Sequence, residues 1–171
     1  MDIRRIKNSM DKQQKLAMLM QPALIRLIDQ LRQQLTEASI TWTYETTELW
    51  PEDVPQETRQ QYDEMTQALE IASDDDAEKI QDVLETLPQP VPLYRLEIEQ
   101  NDEKIHMNMW ELCYQICLQK YKPQLDRMQV EAPNLSSYKI DKTLWESNDS
   151  IDWEALNLKA KKVVQRLTQS L

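Results

Sequence analysis

The sequence predicts an α+β fold: a small antiparallel sheet of about three strands, including a hairpin, packed against several amphipathic helices. Three observations carry this. Residues 91–121 alternate apolar and polar side chains, pass through a polar turn, alternate again, and then switch to three- and four-residue apolar spacing. Ile40–Tyr44 is a second, shorter alternating segment, β-branched or aromatic throughout. The remaining apolar residues recur at helical spacing. The 171 residues are read as one domain, with residues 1–15 as a basic lead-in and residues 134–149 as an irregular connection to a last helix.

In chain order, Leu16, Leu19, Ala23, Leu24, Leu27, Ile28, Leu31 and Leu35 form the longest helical stripe. Pro22 lies inside it, so the helix either starts near Gln21 or begins earlier and passes through the proline. Ile40, Trp42 and Tyr44 then face the core from a strand. Glu48–Pro55 is a loop stiffened by two prolines, and Pro55 suits a helix start. The next helix spans about Gln56–Ala72, with Tyr62, Met65, Leu69 and Ala72 inward. Helicity restarts at Ser73, whose following residues Asp74, Asp75 and Asp76 meet the positive end of the helix dipole. Pro88, Pro90 and Pro92 end that helix and lead extended chain into a strand.

The hairpin pairs Leu93–Glu99 with Lys104–Met109 around Gln100–Glu103, whose Asn101 and Asp102 tolerate left-handed angles. Tyr94, Leu96 and Ile98 share one face, as do Ile105, Met107 and Met109. Asn108 and Glu111 have capping-box spacing. The helix after them carries Trp110, Cys113, Tyr114, Cys117, Leu118 and Tyr121 on one stripe and folds back onto the hairpin. Leu125, Met128 and Val130 are expected to add a turn or two of helix before Pro133. Tyr138, Ile140, Leu144 and Trp145 pin the irregular connection to the body. Ser150 or Asp152 caps a final helix with Leu156, Ala160, Val163, Val164, Leu167 and Leu171 inward.

Composition narrows the function. The chain contains no Gly, where average usage near 7% would give about twelve. Turns must therefore rely on Asn, Asp and Pro, and phosphate loops, dinucleotide-binding fingerprints and glycine-flanked nucleophile elbows cannot be written. The apolar runs are too short to span a membrane, and Leu16–Met20 is too short for a signal core, so the expected compartment is the cytoplasm with both cysteines reduced. Net charge is −10. Between Thr41 and Glu103 eighteen acidic residues face only Arg59, Lys79 and Arg95, and the flanking segments are mildly basic.

Four constellations bear on chemistry. Cys113 and Cys117 lie four apart on an apolar helix face, and His106 falls on the polar side of the hairpin. That set is neither a CxxC nor four zinc ligands, so the cysteines are expected to be small buried residues with no metal and no cofactor. The three consecutive Asp diverge around a helix and cap it without converging on a cation. Glu45, Glu48, Glu52, Asp53 and Glu57 have no fixed separation that would pair them for acid–base work. Trp50 stands in a proline-stiffened, carboxylate-rich loop, either as an interface anchor or as a plug folded inward; Trp145 and Trp153 present the same choice.

The expected class is thus a non-enzymatic protein-binding module, an adaptor, assembly factor or chaperone-like partner of a protein with a basic surface. Its candidate contact residues are Glu48, Trp50, Glu52 and Asp53. Direct nucleic-acid or membrane binding is not expected. One alternative is an acidic inhibitor that imitates nucleic acid. A thiol enzyme is the remote alternative.

Overall fold

The computed structural model describes residues 11–147 and 149–171. Arg4, Arg5 and Lys7 of the expected basic lead-in lie outside the described residues. The elements run α1 (Lys12–Glu37), β1 (Thr41–Leu49), α2 (Gln56–Ile71), α3 (Asp74–Thr86), β2 (Val91–Gln100), β3 (Glu103–Asn108), α4 (Met109–Cys117), a 3-10 turn (Lys142–Leu144) and α5 (Trp153–Ser170). The architecture is α+β with a three-stranded antiparallel sheet. Two compact units divide the chain: Thr47–Pro92 forms one, and the rest of the described chain forms the other.

In the larger unit α1 begins earlier than a start at Gln21 would place it. Asp11 caps it, accepting from the Gln14 N–H at 2.8 Å while Gln14 accepts from the Asp11 N–H at 3.0 Å. The helix runs on through Pro22, forgoing one backbone bond there. Lys12 and Lys15, read as lead-in, are therefore its first turn. At its other end Ser39 takes φ 57°, and Ile40 N–H and Ser39 N–H donate to the Leu35 and Thr36 carbonyls. This is a Schellman closure with serine standing where glycine is usual.

The sheet order is β1-β2-β3. β2 and β3 pair from Gln100↔Glu103 through Leu96↔Met107 to Arg95↔Asn108. Asn101 and Asp102 form the two-residue turn with φ 54° and 64°. Both left-handed angles match a type I′ turn, the hairpin geometry that follows strand twist. Leu96, Ile98 and Met107 enter the core, and on the opposite face Glu97 pairs with His106 at 3.0 Å. Two strand residues depart from expectation: Tyr44 is 38% exposed and Ile105, grouped by spacing with Met107 and Met109, is 37% exposed, whereas Ile40 and Trp42 pack on the core. β1 is an edge strand longer than its alternating segment, and Tyr44 lies parallel to the Trp42 ring, 6.4 Å between centroids.

The core joins the inner sheet face to α1, α4 and α5, with Leu19, Leu27, Leu31, Leu112, Ile116 and Leu156 fully enclosed. α4 is shorter than its apolar stripe. Leu118 leaves the helix to bridge Ile140, Gln119 N–H donates to Lys139 O at 2.8 Å, and Asp141 N–H donates to Cys117 O at 3.0 Å. These bonds pull the chain into extended form. The Asn108–Glu111 capping box does not form either. Asn108 caps alone, through the Trp110 N–H at 3.0 Å, while Glu111 is buried and accepts from the Tyr121 hydroxyl.

Residues 125–130 form turns and coil, not the expected helix. Asn108 is the physical reason. Its backbone N–H donates to Leu125 O at 2.7 Å, and its side-chain amide donates to Arg127 O and Gln129 O at 2.8 and 2.9 Å. Carbonyls aimed at Asn108 are turned away from helical partners. Further on, Ile140 and Leu144 are buried and Tyr138 and Trp145 half-buried, so the irregular connection is pinned as its side chains imply. Asp152 caps α5 by accepting from the Ala155 N–H at 3.1 Å.

Candidate protein-binding surface

The unit Thr47–Pro92 is the acidic segment folded as a body of its own. It holds thirteen Asp and Glu against Arg59 and Lys79, a net of −11 in a chain whose net charge is −10. The rest of the chain is therefore near neutrality. All thirteen carboxylates are exposed. Among the described residues none of them makes an ion pair.

The unit is built on two helices that pack on each other, α2 and α3. Pro55 precedes α2 without a side-chain cap; Ser73 caps α3 by accepting from the Asp76 N–H at 3.4 Å. The first turn of α3 is Asp74, Asp75 and Asp76, as the dipole argument requires. Neither helix buries a single residue, and Val54 is the unit's one buried hydrophobic side chain, at 8% exposure. Tyr62, Met65, Leu69 and Ala72 are half-buried, as are Ala77, Ile80, Leu84 and Leu87. The inward stripe is where the spacing puts it, but it is thinly covered. Val83 of α3 is 39% exposed, and Ile71 at the end of α2 is 89% exposed.

The loop before α2 carries the candidate residues. Arg59 spends its guanidinium on backbone carbonyls, donating to Val54 O at 3.1 Å and Pro51 O at 3.2 Å, so it fastens the loop and neutralises no carboxylate. Trp50 is half-buried and meets Tyr62 edge-on, centroids 5.1 Å apart at 85°. Its ring is therefore held in a fixed attitude with part of its surface open. Glu48, Glu52 and Asp53 are exposed around it. The structure places all four in one unit. Ile71 sits two residues past Leu69, off the inward stripe. That offset is itself the signal of an outward isoleucine. Of the other tryptophans, Trp153 is half exposed under the Arg26 guanidinium at 4.9 Å, and Trp145 is half-buried with Lys15 over its ring at 5.7 Å.

The thiols lie in the other unit. Cys113 and Cys117 are free and fully enclosed on α4. Burial pushes both up, Cys117 to about 12 despite the opposing pull of Lys159. A thiol held protonated at neutral pH and sealed from solvent is a poor nucleophile. Among the described residues no group of three or more His, Cys, Asp or Glu is arranged to hold a metal ion, and no helix is long and apolar enough to cross a membrane.

No family profile, curated protein or solved structure matches the chain.

Proposed function

We propose that this chain is a non-enzymatic partner of another protein, an adaptor, assembly factor or chaperone-like component acting in the cytoplasm. It would engage a basic surface through the unit Thr47–Pro92. The observation that carries the reading is the concentration of the whole net negative charge in one compact body whose carboxylates are exposed and unpaired. Charge gathered this way repels itself, which weakens the unit, so it is not explained by fold stability. Unpaired carboxylates around a fixed aromatic ring match the division of labour at interfaces: a charged rim that steers encounter and a rigid anchor that sets lifetime. The half-covered apolar residues of α2 and α3, with Ile71 beside them, supply area that a partner would bury.

The test is affinity capture from an extract of the native host, with the full chain and its Glu48→Lys, Glu52→Lys, Asp53→Lys triple variant as baits. One basic protein recovered in fixed ratio by the native chain and lost with the variant is the expected result. Equal recovery by both baits overturns the reading. Release of that protein by added duplex DNA assigns the interaction to nucleic-acid imitation instead.

A further inference from the structure

Positive charge gathers along one flank of α5. Lys159, Lys162 and Arg166 fall at i, i+3 and i+7, the spacing that puts side chains on one face of a helix. Together with Lys120 they wall a cleft of about 420 Å³ beside the 3-10 turn. That volume lies in the range of small-molecule sites. Its apolar lining residues are Leu118, Ala155, Leu158 and Val163, of which Leu158 is half exposed.

The cations are not there to balance the protein's own carboxylates. Asp141 is the one acid lining the cleft, and it is already engaged: Lys159 Nζ donates to it at 2.5 Å and the Thr143 hydroxyl at 2.6 Å. Lys159 gives a second N–H to Leu118 O at 3.3 Å, which fixes the ammonium and leaves its third donor uncommitted. Among the described residues Lys120, Lys162 and Arg166 form no ion pair. Four cations against one carboxylate leave the cleft at +3. Lys162 and Arg166 are four apart, a like-charge spacing that destabilises a helix. The helix dipole does not account for the cluster, because its pull is confined to the last turn, where α5 carries no basic residue.

Lys120 adds an independent observation. It sits at φ 54°, and among the described residues of this glycine-free chain the other left-handed positions are Ser39, Asn101, Asp102 and Asp149. Short polar residues tolerate that region; a lysine there is strained, and strain of this kind persists where the surroundings over-determine it. The strained position is the one that sets a fourth ammonium at the cleft.

We propose that this cleft binds a small soluble organic anion carrying two or three negative charges on a phosphate or carboxylate head. The head would be held by Lys120, Lys162 and the fork of Arg166, and a short apolar body would lie on Leu118, Ala155 and Val163.

Isothermal titration of the full chain tests this with hexyl phosphate, hexylmalonate and methyl phosphate as probes. One-to-one binding of hexyl phosphate or hexylmalonate is expected, at least about tenfold tighter than methyl phosphate because the tail leaves water. The tighter of the two hexyl probes names the head group. The Lys162→Gln, Arg166→Gln double variant is expected to weaken that binding by about tenfold or more, and Lys120→Gln, outside the helix, in the same direction. Arg32→Gln, an exposed cation on α1, leaves it unchanged. The proposal is overturned by the absence of one-to-one heat with either hexyl probe, by undiminished binding in the double variant with native circular dichroism, or by association with anionic vesicles alone.

Discussion

Asn108 is the residue whose replacement most sharply tests the packing of the larger unit. It is 1% exposed and makes four hydrogen bonds. The side-chain oxygen caps α4, and the side-chain amide holds Arg127 O and Gln129 O. Loss of a cap costs about 1 kcal/mol, and each net hydrogen bond about another 1 kcal/mol. Asn108→Ala is therefore expected to lower unfolding free energy by about 3 kcal/mol, measured by urea denaturation with an unchanged m-value. Asn108→Ser keeps the capping oxygen and loses the two amide donors, so about 2 kcal/mol is expected. Asn108→Asp is the discriminating variant. Aspartate is as good a cap as asparagine in general, but here it would aim an acceptor at two carbonyl oxygens. It should fall below alanine. An Asp variant as stable as the native chain would refute the assignment of the amide to Arg127 O and Gln129 O.

Four further outcomes follow from the same geometry. Amides of α2 and α3 should exchange with deuterium well before those of α1 and α5, because the smaller unit has one buried hydrophobic side chain and so opens at lower cost; equal protection would mean the two helices are held by more than their own packing. Cys113 and Cys117 should react with a thiol reagent only on unfolding, and fast labelling of native protein would show that α4 is not sealed as the structure has it. Burial opposes ionisation of Asp141, but hydrogen bonds from Lys159 and Thr143 outweigh it and hold the carboxyl below its ordinary range. A folded pKa below the unfolded value of about 3.9 means the native state binds fewer protons, so this contribution is full above that pH and fades as pH falls through the folded pKa. Asp141→Asn should remove that share of the acid dependence of the urea midpoint. Lys159→Met, which leaves Asp141 without its cation, should cost about 2–3 kcal/mol at neutral pH, at the low side for breaking a buried pair because Lys159 is partly exposed.

Local physics made much of the fold legible. Alternation in Leu93–Glu99 and the Asn101–Asp102 turn define the hairpin, since a chain without glycine has few other ways to close one. The stripes of α1 and α5 name their own buried residues almost one for one. Long-range hydrogen bonds set what the spacing could not. The apolar stripe of α4 continues to Tyr121, yet Leu118 is taken by Ile140, and Glu111, spaced for a cap, is taken by Tyr121. Leu125–Val130 has helical spacing, but its carbonyls go to Asn108. The acidic segment was legible as charge and not as a separate unit, because its stripe has ordinary spacing and only its lack of covering residues sets it apart. The basic cleft was half visible: Lys159, Lys162 and Arg166 are written in one helix, whereas Lys120 and Asp141 reach them only through the Leu118–Ile140 bridge.

The central claim, that Thr47–Pro92 is a binding surface, is tested most directly by association and dissociation rates against the captured basic partner over a range of ionic strength. The native chain should associate fast at low salt and slow steeply as salt rises. Reversing Glu48, Glu52 and Asp53 to Lys should slow association and flatten that dependence, with dissociation little changed. Trp50→Ala should instead speed dissociation, costing about 2 kcal/mol or more in affinity. Association rates and salt slopes identical in the native chain and the charge-reversed variant would contradict the claim.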